Sequence, residues 1–348
     1  MRERALLLRL LPGIVRPLPF LLPVFKQGRP AWLIQVGLTL YDRFAGSDGL
    51  PGVRWLDRSE IAHHAPYMRS ERVERDLRAA FLYADAQMLD DVIVRVAARA
   101  ATRLGVSYAE QTRVDDITPL GGGYRIRMTS ANGVQEVTSR LVVNANLLRW
   151  NVLPRTVCLL NVGTHLVFSP EVLSAKPKDC AATLMQHEDG RVVFFIPWED
   201  KWLLGRTERG LEGTPDRMDC PPADETYPMA FATQHPDLRE PEHNVMEVFC
   251  GARTIPLRQR APDVGIGRVR SAWIQVPFDS PFYRRTFDGD ASALSREAVT
   301  EESAPGLFTI YGGKFTTYRA LSECVGDRIA PRLGCVTPCG CANIVKCG

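Results

Sequence analysis

The stretch GLFTIYGGKFTTYRALSE, residues 306–323, constrains the fold more than any other in the chain. An apolar, strand-like run over 306–311 meets Gly312 and Gly313, and the threonines that follow open a pattern that reads as a helix. Consecutive glycines free the backbone to turn tightly or to lie against another molecule, and hydroxyl side chains are natural helix-start residues. The unit reads strand, glycine turn, helix, and presents free N–H groups to a phosphate, a carboxylate or an electron-rich ring. A tight connection with no ligand follows equally from the same residues.

The remaining sequence decides between them. With 348 residues, 45% hydrophobic and 24% charged, the chain can bury a substantial core and form two adjacent or interpenetrating domains. A formal net charge of +3, with no long Lys/Arg run interleaved with aromatics, gives no reason to expect a nucleic-acid partner. Cys158, Cys180, Cys220, Cys250 and Cys324 lie scattered without paired spacing, which suits a reducing compartment. Cys335, Cys339, Cys341 and Cys347 crowd the end without a C-x-x-C pair, so that end reads as an unstructured tail and no metal is expected.

At the other end, residues 1–30 mix leucines with arginines and prolines, too interrupted to span a bilayer and without a signal-peptide pattern. Two readings stand: a segment resting on an anionic membrane surface, or a helix packed on the core followed by a proline-rich connector.

Along the chain, residues 81–83 read as a short strand and 90–104 as a helix, acidic at its start and basic toward its end. His63 and His64 read as a solvated helix face. Strands follow, with turns at residues 121–123 and at Asn132-Gly133; the triple glycine is a hairpin loop because strands flank it on both sides. A second strand-rich block covers 161–208, with turns at Asp189-Gly190 and Glu199-Asp200. PADETYPMAFATQHPDL is a helix candidate that Pro228 would interrupt, and NVMEVFCGARTIPL is a strand.

The ordered blocks RERALLLRLLPGIVRPLPFLLPVF, YADAQMLDD, LVVNA, GTHLVF, RVVFFIPWEDKWLLGRTE, CGAR, SALSRE and GGKFTTYR resemble the FAD-dependent glycerol-3-phosphate dehydrogenases of the D-amino-acid-oxidase-like flavoprotein group, over most of the chain to about residue 330. The resemblance implies that Gly312, Gly313, Lys314, Phe315 and Thr316 meet the isoalloxazine ring of FAD, with helix N–H groups near the edge that becomes negative on reduction. It makes Arg253 the residue for the substrate anion, Lys314 a positive charge beside the ring or the substrate phosphate, and His165 the base that takes the hydroxyl proton.

The implied reaction is oxidation of sn-glycerol 3-phosphate to dihydroxyacetone phosphate, with electrons passing through FAD to a membrane quinone. The implied location is cytoplasmic and peripheral to the inner membrane, with homodimerisation open. An amine or amino-acid oxidase of the same fold is the alternative enzyme.

The sequence also departs from the family. It holds no G-x-G-x-x-G; the nearest run, VGIGRV at 264–269, lacks the third glycine, and NLLRW at 146–150 replaces the expected Ala-x-Gly-Pro. The stretch 254–290 is longer than the pattern, and the family's helical C-terminal region has no counterpart. A truncated product, inactive alone or working beside a separate N-terminal half, is therefore the other expectation, with weak FAD binding. The expected fold is α/β: an incomplete FAD-binding layer (1–150 and 261–330) around a mainly antiparallel substrate-domain sheet (151–260), then a cysteine-rich tail (331–348).

Overall fold

The computed structural model describes residues 2–26, 28–45, 49–145, 157–186, 192–205, 209–211, 220, 222–235, 237–257 and 298–335. The turn at Asp189-Gly190, the runs 146–150 and 264–269, the SALSRE block and the cysteines beyond Cys335 lie outside them.

Helix α1 (Arg2–Leu10) buries Leu7 and Leu10 and leads into β1 (Val15–Phe25). The proline-rich segment is thus a strand of 11 residues, not a connector. The physical reason is parity. Pro17, Pro19 and Pro23 alternate with other residues, so all three withdraw donors from the same side of the strand. On the opposite side β1 runs antiparallel to β3 (Leu77–Met88) over its whole length, from Val15↔Met88 to Phe25↔Leu77. On the proline side its neighbour is β9 (Ala182–Gln186), parallel and paired only at Phe20↔Ala182 and Leu21↔Thr183.

Between β1 and β3 come α2 (Ala31–Ala45), β2 (Arg54–Leu56), α3 (Arg58–His64) and α4 (Glu71–Asp76). The start of α3 is set by a capping box: the Asp57 carboxylate accepts from the Glu60 N–H while the Glu60 side chain accepts from the Asp57 N–H. In its last turn His63 is exposed, whereas His64 is half-buried, so only His63 stands on a solvated face. After α5 (Asp90–Arg103) the chain forms β4 (Arg113–Leu120), β5 (Gly123–Ser130) and β6 (Gly133–Ser139), an antiparallel meander in which Gly122 and Gly133 take positive φ at the turns. Short β7 (Val142–Asn144) precedes β8 (Val157–Phe168).

The hairpin of β10 (Val192–Trp198) and β11 (Lys201–Gly205) turns at Glu199-Asp200, with Glu199 at φ 56°. Beyond β12 (Arg209–Leu211), α6 (Pro222–Gln234) runs through Pro228 without ending there. Then come α7 (Pro241–Asn244), β13 (Val245–Leu257), β14 (Val299–Ala304), β15 (Leu307–Tyr311) and α8 (Tyr318–Ile329).

The fold is mixed α/β, with a 9-stranded sheet in the order β12-β8-β11-β10-β9-β1-β3-β2, β13 also pairing with β8, and two 3-stranded sheets. The chain divides into two compact units. The first comprises Met1–Leu89, Val162–Arg209 and Arg217–Gly251; the second comprises Asp90–Asn161, Gly210–Asp216 and Ala252–Gly348. The core of the first gathers Leu21, Leu56, Leu166, Phe195, Trp202 and Phe231 on one side of the sheet. Tyr67 enters this core because its hydroxyl finds the buried Thr183 Oγ1 at 2.5 Å. Among the described residues no helix is long and apolar enough to cross a membrane.

Candidate functional site

In the second unit, β15 is the middle strand of the sheet β14-β15-β7, antiparallel to β14 and parallel to β7. Leu307, Phe308, Thr309 and Tyr311 are buried, and the Tyr311 hydroxyl donates to Glu301 Oε1 at 2.8 Å. This fixes the strand's carboxyl end, which lies beside that of β7 through the pair Thr309↔Asn144. Ligands of open α/β sheets sit at the carboxyl ends of parallel strands.

The glycine turn stands at that end. Gly312 and Gly313 have φ of 66° and 97°, conformations that side-chain-bearing residues rarely adopt. Lys314 is extended and begins a short 3₁₀ turn, Phe315–Thr317, that runs directly into α8. Neither Lys314 nor Thr317 forms a side-chain cap, and residues 314–317 are exposed. The Thr317 hydroxyl instead donates back to the Lys314 carbonyl at 3.1 Å. The Phe315 ring lies against Tyr318 at 5.4 Å. The turn therefore leaves the Lys314 and Phe315 side chains exposed directly after two glycines of positive φ.

Arg253 is half-buried on β13 and also belongs to the second unit. His165 belongs to the first. Its imidazole is held flat on β8: the Phe249 ring stacks on it at 5.1 Å and 14°, and Gly205 is its cross-strand neighbour on β11. A methyl group built at Gly205 would overlap the imidazole and lie 2.7 Å from Nε2. Thus Gly312, Gly313, Lys314, Phe315 and Thr316 form one turn of the second unit, while Arg253 stands on β13 in that unit and His165 on β8 in the first.

Three residues that the sequence reading did not single out belong in this description. Gly205 and Phe249 form the clamp on His165. Asn161, fully buried on β8, has both amide atoms without a hydrogen-bond partner among the described residues. An amide left unsatisfied in that way would cost about 1–3 kcal/mol. Only the i, i+4 spacing of Asn161 and His165, which puts both on one face of a strand, signalled it in the sequence.

The donor set fits the ring end of a flavin: an uncapped turn after two glycines of positive φ suits an electron-rich edge that gains charge on reduction. At the pyrophosphate end the sequence offers no G-x-G-x-x-G turn.

The family model described as FAD dependent oxidoreductase matches residues 1–281. Over 98% of its length the chain is 27% identical to a probable mitochondrial glycerol-3-phosphate dehydrogenase of Caenorhabditis elegans, of which it covers 44%. Over 92% it is 27% identical to the D-erythritol 1-phosphate dehydrogenase of Brucella abortus, of which it covers 59%. The chain thus spans about half the length of these curated relatives. Its fold matches the crystal structure of a glycerol-3-phosphate dehydrogenase from Bacillus halodurans complexed with FAD, with a TM-score of 0.69 at 20% identity, covering 99% of this chain and 57% of that one.

Proposed function

The chain belongs to the FAD-dependent oxidoreductase family, and on that premise we propose that it oxidises the secondary alcohol of a polyol phosphate, with glycerol 3-phosphate as the first substrate to test. The observation that carries the proposal is the glycine turn, two glycines of positive φ followed by an uncapped 3₁₀ turn that starts at Lys314. FAD, when bound, supplies the two-electron acceptor, from which the electrons pass to a quinone held in a membrane.

Gly312 and Gly313 let the backbone approach the flavin, and the N–H groups after them, with the Lys314 ammonium, favour the charged reduced ring. Phe315 and Thr316 line the same turn. Arg253 holds the substrate phosphate, since a guanidinium offers two parallel bonds to an oxyanion. His165 takes the hydroxyl proton, its ring orientation fixed by Phe249 and Gly205. The names of the relatives, which include two polyol phosphate dehydrogenases, support a phosphorylated polyol over an amine.

The test is anaerobic bleaching of the flavin-loaded protein by a panel of glycerol 3-phosphate, erythritol 1-phosphate, unphosphorylated glycerol and a secondary amine. Bleaching by the two phosphates alone supports the reading. Bleaching by the amine alone, or by none of the panel, overturns it.

A further inference from the structure

The stack of His165 on Phe249 fixes how β13 lies along β8. Four residues further along β8 the Ser169 N–H donates to the Asn244 carbonyl at 2.9 Å, and the Ser169 hydroxyl donates to Asn244 Oδ1 at 2.7 Å. Advancing on β8 therefore retreats on β13, so the two strands are antiparallel, and every second residue of each shares a face. Two residues from the stacked pair, in the other direction, that face carries Gly163 on β8 opposite Gly251 on β13. All four residues belong to the first unit. Two facing glycines leave two side-chain places empty, which opens roughly 7 Å of sheet face along the strands, the spacing of one same-face residue.

The glycines beside the imidazole differ in what fills the place of the missing side chain. At Gly205 the imidazole itself fills it, so the protein accounts for that glycine. At Gly251, which is exposed, a built Cβ meets no atom within 4 Å. Nor does the backbone require glycine there, because Gly251 does not take a positive φ. A glycine inside a strand weakens it and marks a place where another molecule comes close. Next to the gap stand the imidazole and Phe249, which is 41% exposed.

We propose that the gap over Gly163 and Gly251 holds the carbon chain of the polyol phosphate, and that the missing side chain at 251 sets how long a chain is accepted. The inference rests on the proposed function, in which His165 takes the hydroxyl proton. A hydroxyl that gives its proton to the imidazole stands within about 3 Å of it, so the carbons beside that hydroxyl need room next to the ring. The glycine pair is where the sheet face provides it. Paired strands direct their N–H and C=O groups at each other in the plane of the sheet, so the floor offers C–H surface and no partners for hydroxyls. Selection in the gap is then by size and not by the pattern of hydroxyls. Three-carbon and four-carbon polyol phosphates are both accepted, and a methyl group placed in the gap rejects the longer one first.

The experiment compares the flavin-loaded wild type with Gly251→Ala, Gly251→Val and, as a control on the other face of β13, Met246→Ala. Steady-state kinetics with glycerol 3-phosphate and erythritol 1-phosphate, flavin fluorescence titration and thermal melts are recorded for each. Gly251→Ala should raise the KM for erythritol 1-phosphate about tenfold and that for glycerol 3-phosphate no more than about twofold, with kcat for glycerol 3-phosphate unchanged. Gly251→Val should raise both KM values at least tenfold, and Met246→Ala neither. Flavin affinity should stay at the wild-type value throughout. Gly251→Ala should melt at or above the wild-type temperature, since alanine suits a strand better than glycine; a glycine kept for the fold would give the opposite sign.

A Gly251→Val protein with wild-type KM for both phosphates overturns the inference. So does an equal rise in both KM values for Gly251→Ala, or a loss of flavin affinity in either variant, which would give the gap to the cofactor. A Gly251→Ala protein that melts well below wild type also overturns it. A wild type that both phosphates reduce, with any of these results, leaves the proposed function standing and removes the size gate alone; a wild type that neither phosphate reduces overturns the proposed function and this inference with it.

Discussion

Gly205 on β11 stands directly across from His165 on β8, and the space that a Cβ would take at 205 is filled by the imidazole. The Phe249 ring stacks on the same imidazole at 5.1 Å. Gly205→Ala is therefore expected to push the imidazole from its place, lowering flavin reduction by glycerol 3-phosphate about 100-fold while costing roughly 1–3 kcal/mol of stability. Adding His165→Ala to Gly205→Ala should produce little further loss, because both act through one group. Single-turnover bleaching of the two single variants and the double variant checks this.

Arg253→Ala should raise the KM for glycerol 3-phosphate and leave the much weaker reaction of glycerol nearly unchanged, since the residue is assigned to the phosphate. Steady-state kinetics with both substrates decides; an equal loss for the two would place Arg253 elsewhere.

Flavin affinity should be nearly independent of the adenylate half. The proposed function assigns the glycine turn to the ring end, and the sequence contains no G-x-G-x-x-G turn for the pyrophosphate. The expected result of fluorescence titration is weak binding with FAD and FMN within about threefold of each other. FAD at least 100-fold tighter would show that other residues hold the diphosphate.

Acid should loosen the second unit through Glu302. The Gly306 N–H donates to Glu302 Oε1 at 2.7 Å, and Arg332 forks onto both carboxylate oxygens, holding the carboxyl below its ordinary range. A depressed carboxylate stabilises the fold fully above its unfolded pKa of about 4.3 and loses that contribution as pH falls through the lower folded value. Glu302→Gln should cost roughly 1 kcal/mol at neutral pH, and the difference should vanish toward pH 3. Thermal melts of both proteins from pH 3 to pH 7 measure it.

In the core of the first unit, Tyr67→Phe removes the partner of the fully buried Thr183 hydroxyl. The expected loss is about 1–3 kcal/mol in denaturant unfolding, with Tyr67→Phe/Thr183→Val recovering part of it.

Much of this architecture was legible where local chemistry acts alone. The β10–β11 hairpin follows from apolar runs around Glu199-Asp200, α5 from its terminal charges, and the glycine turn from two residues that only a special backbone needs. What stayed hidden depends on partners distant in sequence. Three prolines argue against a strand until their common parity shows that a single neighbour loses its donors. Pro228 argues against a helix that nevertheless continues, with Phe231 and Ala232 buried just beyond it. The clamp on His165 joins residues from three strands that only the sheet brings side by side.

The proline parity of β1 also divides the first unit mechanically. Two antiparallel ribbons, β2-β3-β1 and β9-β10-β11-β8, meet at a parallel seam only two residue pairs wide. Little backbone bonding crosses that seam; Leu21, Leu56 and Ala80 from one ribbon instead interlock with Leu166, Phe195 and Trp202 from the other. Under strain the ribbons should slide past one another as intact bodies, their internal amides still shielded from deuterium while side chains across the seam repack.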